Sequence, residues 1–186
     1  MTKSESAATV ATDGEFSFCG SCPRQLNCCT RIRHQGPIVP PFLFGGEVTR
    51  IGERSGIQAE MVADIRHDHL GRSFQTLRST NPGCIFHVDG LCQIYRDRPI
   101  DCRLFPFDVH ETVDGRLFWV VYTKLCPVNF DYKPYLSGVK ALLKEANISE
   151  TEMRQYSHYG KRMYDEDIIE LEEVDFSHLH TDHRSG

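Results

Sequence analysis

The stretch GCIFHVDGLCQIYRDRPIDCRLFPF, residues 83–107, combines a β-hairpin signal with three cysteines. Its Asp89-Gly90 step stands between two short apolar runs, and Asp-Gly is typical of a two-residue type I′ turn because both central residues adopt positive φ. Two of the cysteines, Cys84 and Cys92, lie within the predicted hairpin, and Cys102 follows it. This stretch therefore predicts a short pair of antiparallel strands that carries thiols.

The two-residue turn fixes which residues of the hairpin stand opposite each other. It pairs Cys92 with His87, and it pairs Cys84 with Tyr95 on the other face of the sheet, because side chains alternate along a strand. In that register Cys84 and Cys92 cannot share a site unless a bulge interrupts the strand or the strand begins after Cys84. The same register makes His87 a reserve metal ligand, although a histidine on a surface strand is the more ordinary interpretation.

A second Asp-Gly step, Asp114-Gly115, precedes the run LFWVVYT, in which aromatic and β-branched residues predict a buried strand. We expect the same kind of turn here, so that two hairpins form a small antiparallel sheet. Upstream of both hairpins, apolar residues at helical spacing predict short helices over Glu47–Gly56 and Ala59–His67.

The C-terminal part of the chain predicts helices. One apolar face contains Leu136, Val139, Leu142, Leu143 and Ala146. Asn147 is a typical helix stop, and Ser149 with Glu152 fits a capping box that begins a second helix, which we expect to run to about Tyr164. The chain as a whole therefore predicts an α+β fold: a small antiparallel sheet of hairpins with short helices, organised around a cysteine metal site and followed by C-terminal helices.

The other five cysteines lie in the run FCGSCPRQLNCCT, residues 18–30, and at one position downstream. They are Cys19, Cys22, Cys28, Cys29 and Cys126. A Cys-x-x-Cys step such as Cys19–Cys22 lets one short turn present two sulfurs to an ion, in zinc and iron–sulfur sites alike. Cys28 and Cys29 are adjacent, and adjacent side chains of an extended chain point apart. They reach two separate metals, or they meet one cluster from a sharp turn, or one of them is not a ligand.

The chemistry of eight cysteines depends on the compartment. Residues 1–16 contain no apolar run long enough for a signal peptide, and no other stretch is apolar enough to span a membrane. We therefore expect a cytoplasmic protein, in which grouped thiols more often bind metal than form disulfides. Redox or disulfide chemistry and unligated buried thiols are the alternatives.

Three arginines surround Cys102 in the sequence: Arg96, Arg98 and Arg103. Four thiolates on one Zn²⁺ leave a net charge of about −2, which neighbouring guanidinium groups offset while they donate hydrogen bonds to sulfur. We predict this role for Arg103 first and for Arg96 and Arg98 after it. The alternative is a loop with ordinary surface salt bridges.

The motifs CGSCPRQLNCC and GCIFHVDGLCQIYRDRPIDCRLFPF together resemble the CxxCxxCC cysteine-cluster family, which is described as a zinc- or iron-chelating domain and includes flagellin lysine N-methylase. The resemblance spans roughly residues 16–130, and its most specific part is Cys-x-Ile-Tyr, then Arg-Pro, then Cys-Arg-x-Phe-Pro. By position it implies a metal-ligand role for Cys19, Cys22, Cys28, Cys29, Cys84, Cys92 and Cys102, and Cys126 matches a later cysteine. One departure is that five residues separate Cys22 from Cys28, where the family pattern has two.

The length and composition of the chain are those of one ordinary domain with disordered ends. The chain has 186 residues, of which 40% are hydrophobic and 25% are charged. We expect a disordered N-terminal tail at 1–15, a single cysteine-cluster domain at 16–164 and an acidic, largely disordered tail at 165–186. Eleven acidic and five basic residues follow position 142, so the net charge of −5 comes from the C-terminal part. Neither part has the basic surface of a nucleic-acid-binding protein.

Three functions are compatible with the sequence. The first is a cytoplasmic metal-binding protein that holds zinc or an iron–sulfur cluster, and eight cysteines with an adjacent pair slightly favour the cluster. The second is protein-lysine methyl transfer, which the family resemblance implies, although the chain has no G-x-G-x-x-G loop and no Cys-x3-Cys-x2-Cys run. The third is a structural zinc scaffold that binds a protein partner through its acidic helices.

Overall fold

The structure is a computed structural model, and it describes residues 40–80, 83–89, 91–123, 132–160 and 168–177. These residues form an α+β fold of helices and small antiparallel sheets, as the sequence predicts. In chain order the elements are β1 (Phe42–Leu43), α1 (Glu47–Ser55), α2 (Ala59–Val62), β2 (Ala63–His67), β3 (Ser73–Leu77), β4 (His87–Val88), β5 (Leu91–Cys92), a 3₁₀ turn (Tyr95–Asp97), α3 (Ile100–Leu104), β6 (Phe107–Glu111), β7 (Leu117–Tyr122), α4 (Lys133–Glu145), α5 (Glu150–Gly160) and β8 (Ile168–Glu173). The predicted N-terminal tail at 1–15 lies outside the described residues.

Three antiparallel sheets organise the strands. β3 lies between β1 and β2 in the first sheet, β4 pairs with β5 in the second, and β7 lies between β6 and β8 in the third. In the third sheet Val109 stands opposite Trp119 and Phe107 stands opposite Val121. Because side chains alternate along a strand, these four residues share one face of the sheet.

The main core forms where this face of β6 and β7 packs with α4 and α5. Its buried members are Phe42, Phe44, Ile100, Leu104, Phe107, Val109, Leu117, Trp119, Val121, Leu136, Val139, Leu143, Ile148, Met153 and Tyr156. Trp119, at the centre of β7, is only 1% exposed. Aromatic side chains bury the largest apolar areas, so this core supplies most of the hydrophobic stabilisation of the described fold.

The predicted C-terminal helices are confirmed. α4 buries three residues of the predicted apolar face, and Asn147 follows it with a φ of 53°, in the left-handed region that ends helices. The Glu152 N–H donates to the Ser149 Oγ at 3.2 Å, and the Ser149 N–H donates to the Glu152 carboxylate at 3.1 Å. This reciprocal pair is the predicted capping box, and α5 follows it as far as Gly160.

The predicted helix over Ala59–His67 is wrong after its first turn. α2 ends at Val62, and Ala63–His67 form β2, which pairs antiparallel with β3. The apolar residues whose spacing predicts this helix are Met61, Val62 and Ile65; of these, Val62 is fully buried, but Ile65 is 68% exposed. The pairing with β3 explains the difference, because hydrogen bonds to a neighbouring strand outweigh a weak local helix propensity.

The turn at Asp114-Gly115 differs from the predicted two-residue type. The Thr112 N–H donates to the Arg116 carbonyl at 2.9 Å, and this closing pair leaves a loop of three residues between them. Gly115 adopts a φ of 82°, which glycine at the last loop position supplies without strain. The buried strand that follows is confirmed as β7, but the two Asp-Gly hairpins lie in separate sheets rather than in one.

Part of the predicted disordered tail belongs to the fold. Ile168–Glu173 form β8 on the edge of β7, and Leu171, Val174 and Phe176 pack against the main core. The apolar residues scattered among the acidic ones explain this, because their burial offsets the entropy lost on ordering the segment. The prediction of disorder is therefore wrong at residues 168–177.

Candidate metal centre

A second, smaller core carries two of the predicted metal ligands. Its buried members are Leu43, Ile51, Val62, Leu77, Phe86 and Ile94. Cys84 and Cys92 pack against these residues, and each cysteine is half-buried. We call the buried group the satellite core, and we call β4, β5 and the turn that precedes them the cysteine hairpin.

The chain enters the cysteine hairpin through a turn rather than a strand. The His87 N–H donates to the Cys84 carbonyl at 3.0 Å, and the Phe86 N–H donates to the Cys84 Sγ at 3.4 Å. β4 begins only at His87, and Cys84 bridges to Ser79 instead of pairing across the hairpin. The strand therefore begins after Cys84, which is the condition under which Cys84 and Cys92 can share a site.

The predicted opposition of His87 and Cys92 is confirmed, whereas Cys84 bridges to Ser79 and not to Tyr95. His87 stands opposite Cys92, and Asp89 at the turn has a φ of 49°, as a type I′ turn requires. The Gln93 N–H donates to the Phe86 carbonyl at 2.9 Å. Phe86 and Gln93 therefore form a hydrogen-bonded pair, and the next pair towards the turn, His87 and Cys92, shares no backbone hydrogen bonds. Opposite side chains approach most closely in a pair of this second kind.

His87 has a ring nitrogen with no hydrogen-bond partner among the described residues. This nitrogen, Nε2, is buried. A buried polar atom without a partner costs about 1–3 kcal/mol, so such atoms are rare unless a ligand satisfies them. Zinc sites combine histidine nitrogen with cysteine sulfur. Cys84, Cys92 and His87 are therefore donors of the types that zinc takes, although within the described ranges they are not grouped so that they could hold a metal ion together.

The surroundings of Cys84 favour the protonated form of its thiol. Burial raises the pKa of the Cys84 thiol, and a negative charge on Cys92 raises it further. The Phe86 and His87 N–H groups act in the opposite direction and lower this pKa, because they stabilise a thiolate. Burial is the larger effect, so the thiol form is favoured in the absence of a cation. A bound metal ion reverses this balance, because coordination deprotonates a thiol.

Cys102 is half-buried on α3, and the predicted arginines lie on either side of it in the chain. The Arg98 side chain is buried, with its guanidinium carbon 4.1 Å from the Tyr95 ring centroid, and it donates to the Tyr95 carbonyl at 3.3 Å. Arg103 is half-buried and Arg96 is exposed. The stacked Arg98 orders the segment between the cysteine hairpin and α3, whereas a role for the three arginines beside metal-bound sulfur stays a prediction.

The described residues do not complete a metal centre by themselves. No three His, Cys, Asp or Glu residues within the described ranges are grouped so that they could hold a metal ion together. Cys84 and Cys92 pack against the same satellite core, but neither Cys102 nor His87 forms such a group of three with them. The remaining predicted ligands lie outside the described residues: Cys19, Cys22, Cys28, Cys29 and Cys126.

Buried carboxylates near α3 form an ionisable group that the sequence analysis does not predict. The Asp101 carboxylate accepts the Phe42 N–H at 2.6 Å and the Tyr156 hydroxyl at 3.1 Å. Asp101 is half-buried, whereas Asp108 is buried and its carboxylate accepts the Tyr122 hydroxyl at 2.5 Å. Two aspartates thus lie beside the main core with tyrosine hydroxyls as partners.

These carboxyl groups have raised pKa values. Burial, together with the negative charges of Asp108 and Glu47, raises the pKa of Asp101 to about 7. Burial also raises the pKa of Asp108 and that of Glu47. The sequence contains one signal for this group: Asp108 interrupts the apolar run FPFDV, and an acidic residue in a buried strand needs internal hydrogen-bond donors.

Comparisons of the chain with protein-family models, with curated proteins and with solved structures find no match. The similarity to the cysteine-cluster family therefore rests on the motifs quoted above. Within the described ranges, no helix has the length and apolar character needed to cross a membrane.

Proposed function

We propose that the chain is a metal-binding protein whose clustered cysteines hold an iron–sulfur cluster or zinc in the reducing environment of the cytoplasm. The observation that carries this proposal is the turn before β4, which leaves Cys84 outside the paired strand, so that Cys84 and Cys92 both pack against the satellite core. A regular strand would have separated them, because residues at this spacing face opposite sides of a hairpin. The resemblance to the cysteine-cluster family supports the same function.

The small size of the cysteine hairpin also supports a bound metal. Each of its strands has two residues, and an isolated two-stranded hairpin is marginally stable at best in water. Its tip adds little burial, because Val88 is 47% exposed and Leu91 is 68% exposed. Metal coordination stabilises such units, since a preformed site rarely exists in the unfolded chain and the binding free energy then becomes folding free energy.

The proposed centre needs more ligands than the two hairpin thiols. Structural zinc takes four ligands, and iron–sulfur clusters are typically held by four cysteines. His87 is a candidate because its buried Nε2 has no partner in the described part of the chain. The other candidates are Cys19, Cys22, Cys28, Cys29, Cys102 and Cys126. Arg96, Arg98 and Arg103 are the candidates to offset the negative charge of the bound thiolates.

Anaerobic purification, followed by metal analysis and an ultraviolet–visible spectrum, tests the proposal. Stoichiometric iron and sulfide with visible absorption would identify a cluster, and colourless protein with stoichiometric zinc would identify a zinc site. Protein that contains neither, that binds neither Zn²⁺ nor Co²⁺, and that accepts no reconstituted cluster would overturn it.

Matched variants test which residues of the cysteine hairpin bind the metal. Cys84→Ser and Cys92→Ser should lower the bound metal by the same fraction, because the two thiols serve one site. His87→Ala tests the reserve ligand, and His67→Ala on the exposed part of β2 is its matched control. Equal metal content in the two histidine variants would exclude His87 as a ligand. Full metal content in both cysteine variants would exclude the hairpin.

A further inference from the structure

The backbone hydrogen bonds between β2 and β3 determine which groups of β2 face outward. β2 lies at one edge of the first sheet, and β3 pairs with it antiparallel. Next to β2, the Arg78 N–H donates to the Val62 carbonyl at 2.8 Å. Hydrogen-bonded pairs alternate with non-bonded pairs along such a ladder, so the residues of β2 that bond to β3 are Asp64 and Arg66. The backbone N–H and C=O groups that point away from β3 belong to Ala63, Ile65 and His67.

The outward edge of β2 is open in the part of the chain that the structure describes. No described strand pairs with it, and unpaired backbone groups on an edge strand can bond to another strand. Ile65 on β2 and the flanking residues Met61 and Leu70 have exposed side chains. At one end the Arg78 guanidinium donates to the Ala63 carbonyl at 3.3 Å, and a carbonyl oxygen can accept a second hydrogen bond. The edge therefore presents backbone donors, backbone acceptors and apolar surface.

The charges of β2 are complementary to those of a second, antiparallel β2. When two copies pair about Ile65, Asp64 of each copy stands opposite Arg66 of the other. These positions share no backbone hydrogen bonds between the copies, because both residues bond to β3, and opposite side chains approach most closely in such pairs. Arg66 is exposed and has no ion-pair partner within the described ranges. Arg78 bonds to the Asp64 Oδ1 at 3.0 Å, which leaves Oδ2 for Arg66. Opposite charges at such positions stabilise paired strands.

The same register matches the backbone groups of the two copies. Ile65 stands opposite Ile65 of the second copy, and Ala63 stands opposite His67. These three residues point their N–H and C=O groups outward, so each position is a hydrogen-bonded pair that exchanges two bonds. The three pairs supply about six backbone hydrogen bonds across the two-fold axis. The donors, acceptors and charges of β2 are thus self-complementary, as a symmetric dimer requires.

β8, at the edge of the third sheet, shows that self-complementarity is not a general property of the edge strands here. It contains Glu170, Glu172 and Glu173 and no basic residue. Two copies of β8 would place like charges against each other, which destabilises paired strands. Charge therefore favours self-pairing at β2 and opposes it at β8.

We propose that two copies of the chain form a dimer through antiparallel pairing of β2 about Ile65. The first sheet of one copy then continues into the first sheet of the other. Met61 of one copy and Leu70 of the other lie at the same end of the pairing, which extends the apolar contact beyond Ile65. None of the predicted metal ligands lies on β2, so the dimer does not depend on the proposed function.

Sedimentation equilibrium of the full chain tests the proposal, with a thiol reductant present to prevent disulfide-linked dimers. The unmodified chain should have twice the mass of the monomer. Ile65→Pro removes one outward N–H per copy and leaves the bonds of Asp64 and Arg66 to β3 in place, so it should be monomeric at concentrations at which the unmodified chain is a dimer. Ile65→Thr is the matched control. It keeps the N–H and a β-branched side chain, and it should dimerise more weakly than the unmodified chain.

A pair of charge variants tests the register. Arg66→Glu sets an acidic residue against Asp64 of the second copy and should weaken dimerisation by about tenfold or more. Asp64→Arg sets arginine against Arg66 and should weaken it similarly. An equimolar mixture of the two variants should form a heterodimer, because every charge then faces its opposite. Arg54→Glu is the control, since it makes the same change on α1, away from β2, and should leave the dimer intact.

Circular dichroism of each variant establishes that it folds. If Asp64→Arg does not fold because it faces Arg78, Ile65→Pro and Arg66→Glu still decide the question. A chain that is monomeric at every concentration would overturn the proposal. A dimer that Ile65→Pro and Arg66→Glu leave equally stable would also overturn it, because the two copies would then meet at another surface.

Discussion

Two hairpins in this chain contain the same Asp-Gly step and differ in what surrounds it. The β6–β7 hairpin has strands of five and six residues, most of them buried. The cysteine hairpin has strands of two residues and exposes Val88 and Leu91 at its tip. The dipeptide therefore locates a chain reversal, while the surrounding core or ligand determines whether the strands are stable. We expect the main core to stabilise one hairpin and a metal to stabilise the other.

Metal removal should produce the largest difference in stability between the two hairpins. Structural zinc contributes about 10–16 kcal/mol of apparent folding free energy to small metal-dependent units. A chelator should therefore abolish the hydrogen-exchange protection of the amides in β4 and β5, while the amides in β6 and β7 stay protected. Equal protection of β4 and β5 before and after chelation would show that the satellite core alone holds the cysteine hairpin.

The main core should account for the next largest effect. Trp119→Ala deletes a side chain that is 1% exposed, and aromatic-to-alanine changes in a core cost about 3–5 kcal/mol of unfolding free energy. Urea denaturation followed by circular dichroism measures the loss. We expect Phe118→Ala, the half-buried neighbour on the opposite face of β7, to cost less. A loss for Trp119→Ala no larger than that of this control would contradict the packing of the β6–β7 hairpin.

Glu47 lies on α1, which contributes Ile51 to the satellite core, and it binds Phe44 and Ile100 of the main core. Its removal should therefore weaken the link between the two cores. Its carboxylate accepts the N–H groups of Phe44 at 3.1 Å and Ile100 at 2.9 Å, and it pairs with Arg50 at 2.9 Å. Glu47→Ala leaves these two N–H groups without their acceptor, so we expect a loss of about 2–4 kcal/mol of unfolding free energy. Arg50→Ala is the control, because it removes the ion pair and leaves the carboxylate. Equal losses of unfolding free energy for the two variants in urea denaturation would mean that the hydrogen bonds that Glu47 accepts from Phe44 and Ile100 contribute nothing.

The smallest expected effect is that of Asp108→Asn on the pH dependence of the main core. The pKa of Asp101 is raised to about 7 from an ordinary value of 3.8, so the folded state keeps a proton that the unfolded state releases. The unfolding free energy therefore falls as the pH rises from about 4 through about 7. Asp108→Asn removes a negative charge that raises the pKa of Asp101, and it should reduce this fall by about 1 kcal/mol. Urea denaturation across this pH window measures the slope, and an equally steep fall in the variant would contradict the coupling.

Signals between residues that are close in sequence predicted structure well. The capping box of Ser149 and Glu152 and the opposition of His87 and Cys92 both depend on contacts within a few residues. Such geometry is set by one turn of chain, so the residue types themselves are sufficient to predict it. The same reasoning identified Cys84 and Cys92 as candidates for one site and stated the condition under which they could share it.

Features that depend on distant partners were missed. Ala63–His67 form a strand because β3 is available to pair with them. No residue within that segment predicts this pairing. The Asp101 carboxylate is stabilised in the core by Phe42 and Tyr156, which lie 59 and 55 residues away. Neither contact follows from local periodicity, because each requires the tertiary fold to exist first.

The satellite core has a consequence for the order in which the protein assembles during synthesis. All its buried members lie between residues 43 and 94, whereas the main core extends to residue 156. The Tyr159 hydroxyl of α5 donates to the Pro40 carbonyl at 2.7 Å across 119 residues. The ribosome releases the chain from its N-terminus, so the satellite core and its two thiols emerge well before α5 can close the main core. We therefore expect these thiols to be accessible to solvent and to metal ions while translation is still in progress.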